Sequence, residues 1–454
     1  MNTGQFRRLL PWMVILLLGW SRCMQPIESI TPQDAALSWA DLTLYITKKT
    51  PANTPTFASR VLGYIGLTMY ESIVHGYPDY NSLAGQLNGL DSLPQPEPDQ
   101  PYDWVLALNA GQAEILRTIY IQTSDSNKAR IDALEKTIYD AYSAKLVDKS
   151  IGPRSSSYGK AIADAIFTWS QTDGGHRGYL HNFDKAMVFP ERPGGWKPPL
   201  YGQAISHYPL HPHWGENRTF LKADGELPIP YMIPYDTTPG SPYYDQYLAV
   251  YEQDKKLSQE EKEQALWWGD DPDVTFTPPG HSYYIAYKVV KAKNPDLIIC
   301  AETFARVGIA VADAFINCWK WKYHYFSERP NTFIPKFIDP DFVSFWPDPP
   351  FPAFPSGHAI NAATAASILK NLYGPRFHFV DSSHYGRPFD ELRQTAFVPQ
   401  AFDSFWQVAI ETADSRFYGG IHTPQDNNTG LEQGAIIAAH VNHLHWKKSD
   451  HEGI

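Results

Sequence analysis

The sequence has few cysteines and no excess of basic residues. It contains three cysteines, and only Cys300 and Cys318 lie beyond the first 23 residues. The pattern around them predicts a single helix, in which eighteen residues at about 1.5 Å each place the two thiols roughly 27 Å apart, beyond the reach of a disulfide. We therefore expect two buried thiols rather than a disulfide framework.

The charge balance excludes other classes of function. The formal net charge is −11, whereas proteins that bind nucleic acids or anionic membranes need an excess of Lys and Arg on one face. With 43% hydrophobic and 19% charged residues, the composition is that of an ordinary folded protein. Any site for an anion must therefore be local.

Long hydrophobic runs are also missing, apart from one at the N-terminus. Arg7 and Arg8 precede an apolar run from Leu9 to Trp20, which is too short to span a bilayer. This layout is typical of a secretory signal, so we expect residues 1–23 to be a signal peptide of an exported protein. A lipid anchor on Cys23 is the alternative to simple cleavage, although Arg22 fits the usual lipobox poorly.

Strand signals are few, and no internal repeat is visible. Apolar residues recur at helical spacing through most of the chain, interrupted by long loops rich in Pro, Gly and aromatic residues. We predict an all-α fold, built from helical bundles that form two four-helix-bundle units. In residues 24–454, the N-terminal bundle and its loops are expected over about 24–240, and a second bundle over about 241–454. Residues 330–355 are expected to be a loop.

Three segments of the second bundle combine cations, glycine and histidine. Lys322 and Arg329 are seven residues apart, nearly two helical turns, so both side chains could leave one helix face. Pairs at this spacing are usually solvated surface charges. Alone, they would not indicate a site.

The second segment begins the helix that follows the loop. Ser356 suits the N-cap position, Gly357 lets a ligand approach the backbone, and the free amides of a helix N-terminus favour an anion. His358 lies at the mouth of that position. The alternative is an ordinary capped helix.

The third segment contains Ser415 and Arg416, then His422 and Asp426. Asp426 is placed to accept the imidazole N–H of His422, to cap the next helix, or both. A carboxylate behind an imidazole makes the other ring nitrogen a better ligand or nucleophile.

Together these segments match the composite signature K-x6-R-P, P-S-G-H, S-R-x5-H-x3-D without a substitution. The chain thereby resembles the type 2 phosphatidic-acid phosphatase superfamily, which includes acid phosphatases and vanadium haloperoxidases. The motifs cover Lys322 to Asp426, with a looser likeness over Thr54 to Tyr77.

The resemblance implies a vanadate or phosphate site. Lys322, Arg329 and Arg416 would neutralise the oxygens of the anion, and the Gly357 amide and the Ser356 hydroxyl would donate to it. His422 would be the vanadium ligand or the nucleophile, and Asp426 would support His422 from behind. His358 would be the acid–base residue. Lys322 would also polarise bound peroxide. An acid that orients Arg416 is expected too, and Asp270 or Asp271 is the candidate.

The motifs do not separate peroxidase from phosphatase, so the context decides. The chain has no run for several transmembrane helices, and the soluble acid phosphatases of the superfamily are about half as long. The bacterial type of vanadium-dependent haloperoxidase, which oxidises halide with hydrogen peroxide, is therefore favoured, with iodide ahead of bromide. A secreted acid phosphatase acting through a phosphohistidine at His422 and an oxyanion-binding protein remain alternatives.

Other aromatic and histidine residues carry weaker signals. Trp319 and Phe351 correspond to residues that border the halide site in this family, although both could be core aromatics. Two histidine groups have spacings that could suit a metal, but they lack matching acidic or cysteine partners. We leave them out of the predicted site; they are His207, His211 and His213, and His440, His443 and His445.

Overall fold

Helices form nearly all the regular structure of the protein. The computed structural model describes residues 30–199, 202–203, 206–272 and 274–448. Within those residues there are fourteen α-helices and one small antiparallel sheet, which confirms the predicted all-α fold. The first five helices are α1 (Pro32–Lys49), α2 (Pro55–Glu71), α3 (Trp104–Ile119), α4 (Asp125–Ser143) and α5 (Ile151–Ser170).

The starts of these helices follow from local sequence. Thr31 and Thr54 are N-caps, each followed by a proline in the first turn, where the missing N–H costs no hydrogen bond. The predicted signal peptide, residues 1–23, lies outside the described residues.

A long irregular segment separates the two halves of the chain, as its Gly, Pro and aromatic content predicts. The regular structure among its described residues is two turns of 3₁₀ helix and the short α6 (Lys222–Gly225). Four helices follow it: α7 (Pro242–Asp254), α8 (Gln259–Trp267), α9 (Thr277–Lys293) and α10 (Leu297–Tyr325).

The C-terminal part differs from the prediction in two places. The segment expected to be a loop begins with a helix, α11 (Pro330–Phe337), because Pro330 suits the first turn and the apolar Phe333 and Ile334 are buried. The apolar spacing also predicts a helix over about Ala401–Phe417, but the helix begins only at Phe405, after a short strand. The remaining elements are α12 (Gly357–Tyr373), β1 (Phe379–Asp381), β2 (Gln400–Phe402), α13 (Phe405–Tyr418) and α14 (Pro424–Asn442).

Glycines allow the central helices to pack closely. A Cβ on Gly308 of α10 would lie 2.5 Å from the Leu62 carbonyl oxygen of α2, and one on Gly434 of α14 would lie 2.5 Å from the Ile360 carbonyl oxygen of α12. These two helix pairs are the most extensive contacts in the fold. One hydrophobic core contains residues from both sides of residue 240, and the proposed boundary there stays a prediction.

The helix α10 carries both remaining cysteines. Cys300 and Cys318 are free and buried, as predicted. Among the described residues, no helix is both long enough and apolar enough to cross a membrane.

Candidate active site

Lys322 and Arg329 meet across a turn, and the prediction that they share one helix face is wrong. The helix α10 ends at Tyr325, where Phe326 adopts a left-handed backbone conformation with φ 49°. The chain then reverses, and Arg329 is the N-cap residue of α11. The two side chains still converge, because both donate to the carbonyl oxygen of Pro352, at 2.9 Å for Lys322 and 3.4 Å for Arg329.

These two cations are fully buried and bonded to backbone oxygens. Lys322 Nζ also donates to the Ala353 carbonyl at 2.5 Å, and Arg329 donates to the carbonyls of Phe351 and Ile421 at 3.0 and 2.8 Å. Burial lowers the pKa of Lys322 to about 7, and the Arg329 charge acts in the same direction. An anion placed between them would reverse that shift, because opposite charge favours the ammonium form.

Arg416 on α13 is the third buried cation. Its Nη2 donates to the Ala265 carbonyl at 2.5 Å and its Nε to Ser415 Oγ at 3.1 Å, while Nη1 has no partner within the described ranges. Neither Asp270 nor Asp271, the acids expected to orient Arg416, bonds its guanidinium group in the described part of the chain. Both acids raise its pKa only through their charge, while Asp270 bonds two histidines and Asp271 bonds Gln203.

The N-terminus of α12 points into the same region. Ser356 is its N-cap and accepts from the Ala359 amide at 3.4 Å, which leaves the hydroxyl proton free to donate. A Cβ on Gly357 would lie 3.6 Å from the Trp319 ring and 4.0 Å from Lys322 Cε. Glycine therefore keeps open the space in front of the lysine.

His422 and Asp426 form the pair that the spacing predicts. Asp426 Oδ2 accepts from His422 Nδ1 at 2.9 Å and from the Thr423 amide at 3.1 Å, so Asp426 both orients the imidazole and caps α14. Burial, and then the charges of Arg329 and Lys322, lower the pKa of His422 well below its usual value. The imidazole is thus neutral, with Nδ1 carrying the proton and the Nε2 lone pair free to bind.

The helices α12 and α14 meet at these N-termini. The amide of Ser356 donates to the Asp426 backbone carbonyl at 3.0 Å. His358 is half-buried, and its Nε2 has no hydrogen-bond partner among the described residues. Burial, followed by the Arg416 charge, lowers its pKa well below the ordinary histidine value, so His358 is a neutral base.

Trp319 and Phe351 form an aromatic wall beside the cations. Their ring centroids are 4.9 Å apart, and Lys322 Nζ lies 5.2 Å from the Phe351 centroid. Trp319 is buried and donates from Nε1 to the Leu210 carbonyl at 3.1 Å, whereas Phe351 is partly exposed.

The residues present fit a tetrahedral or trigonal oxyanion such as vanadate. Three buried cations make no ion pair with an acidic side chain in the described part of the chain, and buried charge without a counter-ion is costly. The unpartnered Arg416 Nη1, the Gly357 amide and the free His422 lone pair supply two donors and one ligand.

A network next to the site has no counterpart in the sequence-based prediction. His281 donates to Asp270 at 2.8 Å and to Asp381 at 2.7 Å, and His384 bonds Asp270 at 3.0 Å. Burial alone would lower the pKa of His281, but the two carboxylates raise it to about 10. The sequence made Asp270 or Asp271 a candidate partner of Arg416, but no spacing in the sequence links Asp270 to residues 281, 381 and 384.

The two histidine groups whose spacing could suit a metal, at positions 207–213 and 440–445, do not form a set of three metal ligands among the described residues. His211 bonds Asn182 at 2.8 Å, and His440 bonds Asp224 at 2.6 Å. Within the described residues, the one compact set of three metal-type ligands is Asp270, His281 and His384, which the hydrogen bonds above already satisfy.

Known proteins share this fold and these motifs. A family model for the second helical-bundle domain of VCPO matches residues 337–449. Vanadium chloroperoxidase from Curvularia inaequalis is 26% identical over 213 residues, a match that spans 35% of this chain and 35% of that protein. The crystal structure of a holo-type bacterial vanadium-dependent chloroperoxidase has a TM-score of 0.62 at 14% identity, covering 92% of this chain and 93% of that one, which supports the fold.

A further solved structure is more similar. The first bacterial vanadium-dependent iodoperoxidase to be solved is 30% identical, with a TM-score of 0.78, over 94% of this chain and 99% of that one. The similarity thus extends far beyond the motifs and includes both halves of the chain. This chain therefore belongs to the vanadium-dependent haloperoxidase family of bacterial type, whose cofactor is vanadate, as the motifs and their context together predicted.

Proposed function

We propose that the protein oxidises halide with hydrogen peroxide to hypohalous acid, with iodide as the preferred halide and bromide as the second. The observation that carries this proposal is the convergence of Lys322, Arg329 and Arg416 on one buried region, where they form no ion pair with an acid of the described ranges. The 30% identity to an iodoperoxidase over nearly the whole chain supports the choice of iodide.

Each residue of the site has a proposed part in this reaction. Lys322, Arg329 and Arg416 hold the anionic cofactor, aided by the Gly357 amide and the Ser356 hydroxyl. Charge-assisted hydrogen bonds are worth about 1.5–3 kcal/mol each, so several of them offset the desolvation of a dianion. His422 is the protein's ligand to vanadium through Nε2, because Asp426 fixes the proton on Nδ1.

The acid–base step belongs to His358. Its neutral imidazole takes a proton from incoming peroxide, and Lys322 withdraws electron density from the peroxide oxygens. Bound vanadate supplies the Lewis acidity that makes a peroxide oxygen electrophilic toward halide. Trp319 and Phe351 are proposed to line the path of the halide, because an apolar, polarisable wall favours weakly hydrated iodide over chloride.

The decisive test is an assay of metal-stripped protein with peroxide and iodide, before and after orthovanadate is added. We expect little activity in the stripped protein and recovery with about one vanadate per chain. Activity that does not depend on vanadate would contradict the proposal. Rapid hydrolysis of p-nitrophenyl phosphate by the stripped protein, with no halide oxidation after loading, would instead support the acid phosphatase alternative through His422.

Export is proposed on sequence grounds alone. The layout of residues 7–23 is that of a secretory signal. Fractionation of cells that express the full chain, followed by mass spectrometry of the mature N-terminus, tests it. A chain that begins at Met1 and stays in the cytoplasm would contradict it, and a lipid on Cys23 would show anchoring.

A further inference from the structure

A small cavity lies behind His358, beside the helix that carries it. Its polar side is formed by His358 and Asn361 from α12, Ser282 and His281 from α9, and Asp270 from the segment before α9. Apolar side chains of α9, α12 and α13 form most of the remaining wall. The cavity has a volume of about 10 Å³, which is roughly the space that one water molecule needs. A water is retained in such a space only if polar atoms bind it.

Asn361 provides one such atom. Its Nδ2 donates to the Pro278 carbonyl at 3.1 Å and to Ser282 Oγ at 3.0 Å. Because a carbonyl oxygen can only accept, the amide cannot be flipped, and Oδ1 is fixed as the other atom of the group. Oδ1 is buried and has no hydrogen-bond partner in the described part of the chain.

His358 provides the second atom. It lies three residues before Asn361 on α12, so both side chains occupy one face of the helix. His358 Nε2 is also buried without a partner among the described residues. One water can satisfy both atoms, by accepting from an Nε2–H and donating to Asn361 Oδ1.

We propose that this cavity holds one water molecule bridging His358 Nε2 and Asn361 Oδ1, so that Asn361 is a positioning residue for the acid–base histidine. An Nε2–H tautomer leaves the Nδ1 lone pair as the base. When Nδ1 takes a proton from peroxide, an O–H bond breaks, an N–H bond forms, and the water keeps the imidazolium in place. This inference rests on the acid–base part given to His358 in the proposed function.

The charges around His358 make such support useful. Burial lowers its pKa most, Arg416 from α13 and Lys322 from α10 lower it further, and Asp270 acts in the opposite direction. His422, at the start of α14, would add to this only if it were protonated. His281, which lines the same cavity, is itself bridged between two carboxylates. Without a partner on Nε2, the histidine could turn away from these cations and lose the orientation that the reaction needs.

The first experiment is a crystal structure of the full chain at a resolution that shows ordered water. We expect a water within about 3.2 Å of both Asn361 Oδ1 and His358 Nε2. A dry cavity, or a water bonded to Asn361 but not to His358, would overturn the inference. This result does not depend on activity, so it decides the inference even if the halide assay contradicts the proposed function.

The second experiment compares Asn361→Leu with a matched control, Gln112→Leu. Gln112 in α3 is also a buried amide that donates to a backbone carbonyl, at 3.1 Å, and has an unpartnered oxygen. Removing a positioned acid–base residue costs about 10²–10⁴-fold, so loss of its support should lower kcat about 10-fold to 100-fold in Asn361→Leu. Vanadate retention should not change, and the acid limb of the kcat–pH profile should move.

The control separates catalysis from folding. Both variants should lose similar thermal stability, but Gln112→Leu should keep the wild-type kcat and pH profile. If Asn361→Leu also keeps the wild-type kcat and pH profile, the inference is overturned. If Asn361→Leu does not fold, the crystallographic outcome for the wild type still decides it.

Discussion

Two histidines of the site differ in what holds them. His422 is fixed by Asp426 at 2.9 Å and offers a free lone pair, whereas His358 has an unpartnered Nε2. We expect His422→Ala to lose vanadate on dialysis, because the direct bond to the protein is gone. His358→Ala should keep vanadate and lower kcat by roughly 10²–10⁴-fold.

The measurements are vanadium content after dialysis and steady-state kinetics with iodide. Each variant is the control for the other, since the two histidines belong to one site but are given different parts. Stoichiometric vanadium in His422→Ala would contradict the ligand assignment. Equal loss of binding and rate in His358→Ala would mean that His358 is a structural contact of the anion.

Phe351 is the residue on which we base a prediction of halide choice. It lies 5.2 Å from both Lys322 Nζ and Arg329 Cζ, measured to its ring centroid. Phe351→His would place a hydrogen-bond donor beside the incoming halide, and these neighbouring cations would lower the pKa of the new imidazole. The bromide-to-iodide ratio of kcat/KM should therefore rise, most strongly at the acid end of the range from about pH 5 to 8.

Kinetics of both enzymes across that range check the prediction, with vanadium content measured in parallel. A ratio that does not change in a variant that still binds vanadate would place Phe351 in the core and remove it from the halide site.

At the scale of the element, the start of α14 serves folding and chemistry with one carboxylate. Asp426 completes the capping box with Thr423 and also bonds His422. Thr423→Ala removes a cap alone, whereas Asp426→Ala removes the cap and the bond to the imidazole. Both should lower stability by about 0.5–2 kcal/mol, and only Asp426→Ala should weaken vanadate binding, by roughly 10–100-fold.

Thermal unfolding and vanadate titration of the two variants measure these effects. Similar vanadate affinity in both variants would show that Asp426 acts only as a cap.

The contact between α12 and α14 gives a second prediction at this scale. Gly434→Ala would bring a methyl group against the Ile360 carbonyl and force the helices apart. We expect a loss of about 1–3 kcal/mol and weaker vanadate binding, because both helix N-termini belong to the site. Gly152→Ala is the control, since its nearest neighbour is the end of the Tyr139 side chain at 3.2 Å; it should leave vanadate binding unchanged.

Some structural elements can be predicted from local sequence and others cannot. Helix starts such as Thr54-Pro55 and Thr423-Pro424 are local, because a cap and a proline act within one turn. The turn after α10 cannot be predicted from local sequence, because Phe326 there takes a left-handed conformation that its side chain does not favour. Arg329 therefore converges with Lys322, as predicted, but across a turn and not along one helix face.

The network around Asp270 is the largest part of the surroundings that could not be predicted. His281 and Asp381 are 100 residues apart in the sequence, and their pairing depends on how α9 packs beside the sheet. The Asp270 carboxylate was expected at Arg416, but His281 and His384 take both of its oxygens.

For the whole molecule, His281 connects three separate segments and makes stability depend on pH. Its pKa is raised to about 10, against about 6.5 in an unfolded chain. Its contribution to stability is thus fully present below about pH 6.5 and is lost as the pH rises through about 10. The stability of the wild type relative to His281→Gln should therefore fall between about pH 7 and 10.

Melting temperatures of both proteins across that range provide the measurement. His378→Gln is the control, because His378 and its partner Asp403 are 70% and 80% exposed and should add little. A difference between wild type and His281→Gln that stays constant with pH would mean that His281 is neutral in the folded protein.

The close packing of α10 on α2 limits how the enzyme can be divided. The signature begins at Lys322, so a catalytic fragment that starts near residue 241 looks attractive for engineering. Yet Gly308 of α10 contacts the Leu62 backbone of α2 with no room for a methyl group, and one core contains both helices. The first half of the chain is thus a structural part of the catalytic half, and a minimal enzyme must retain α2 or a designed replacement for it.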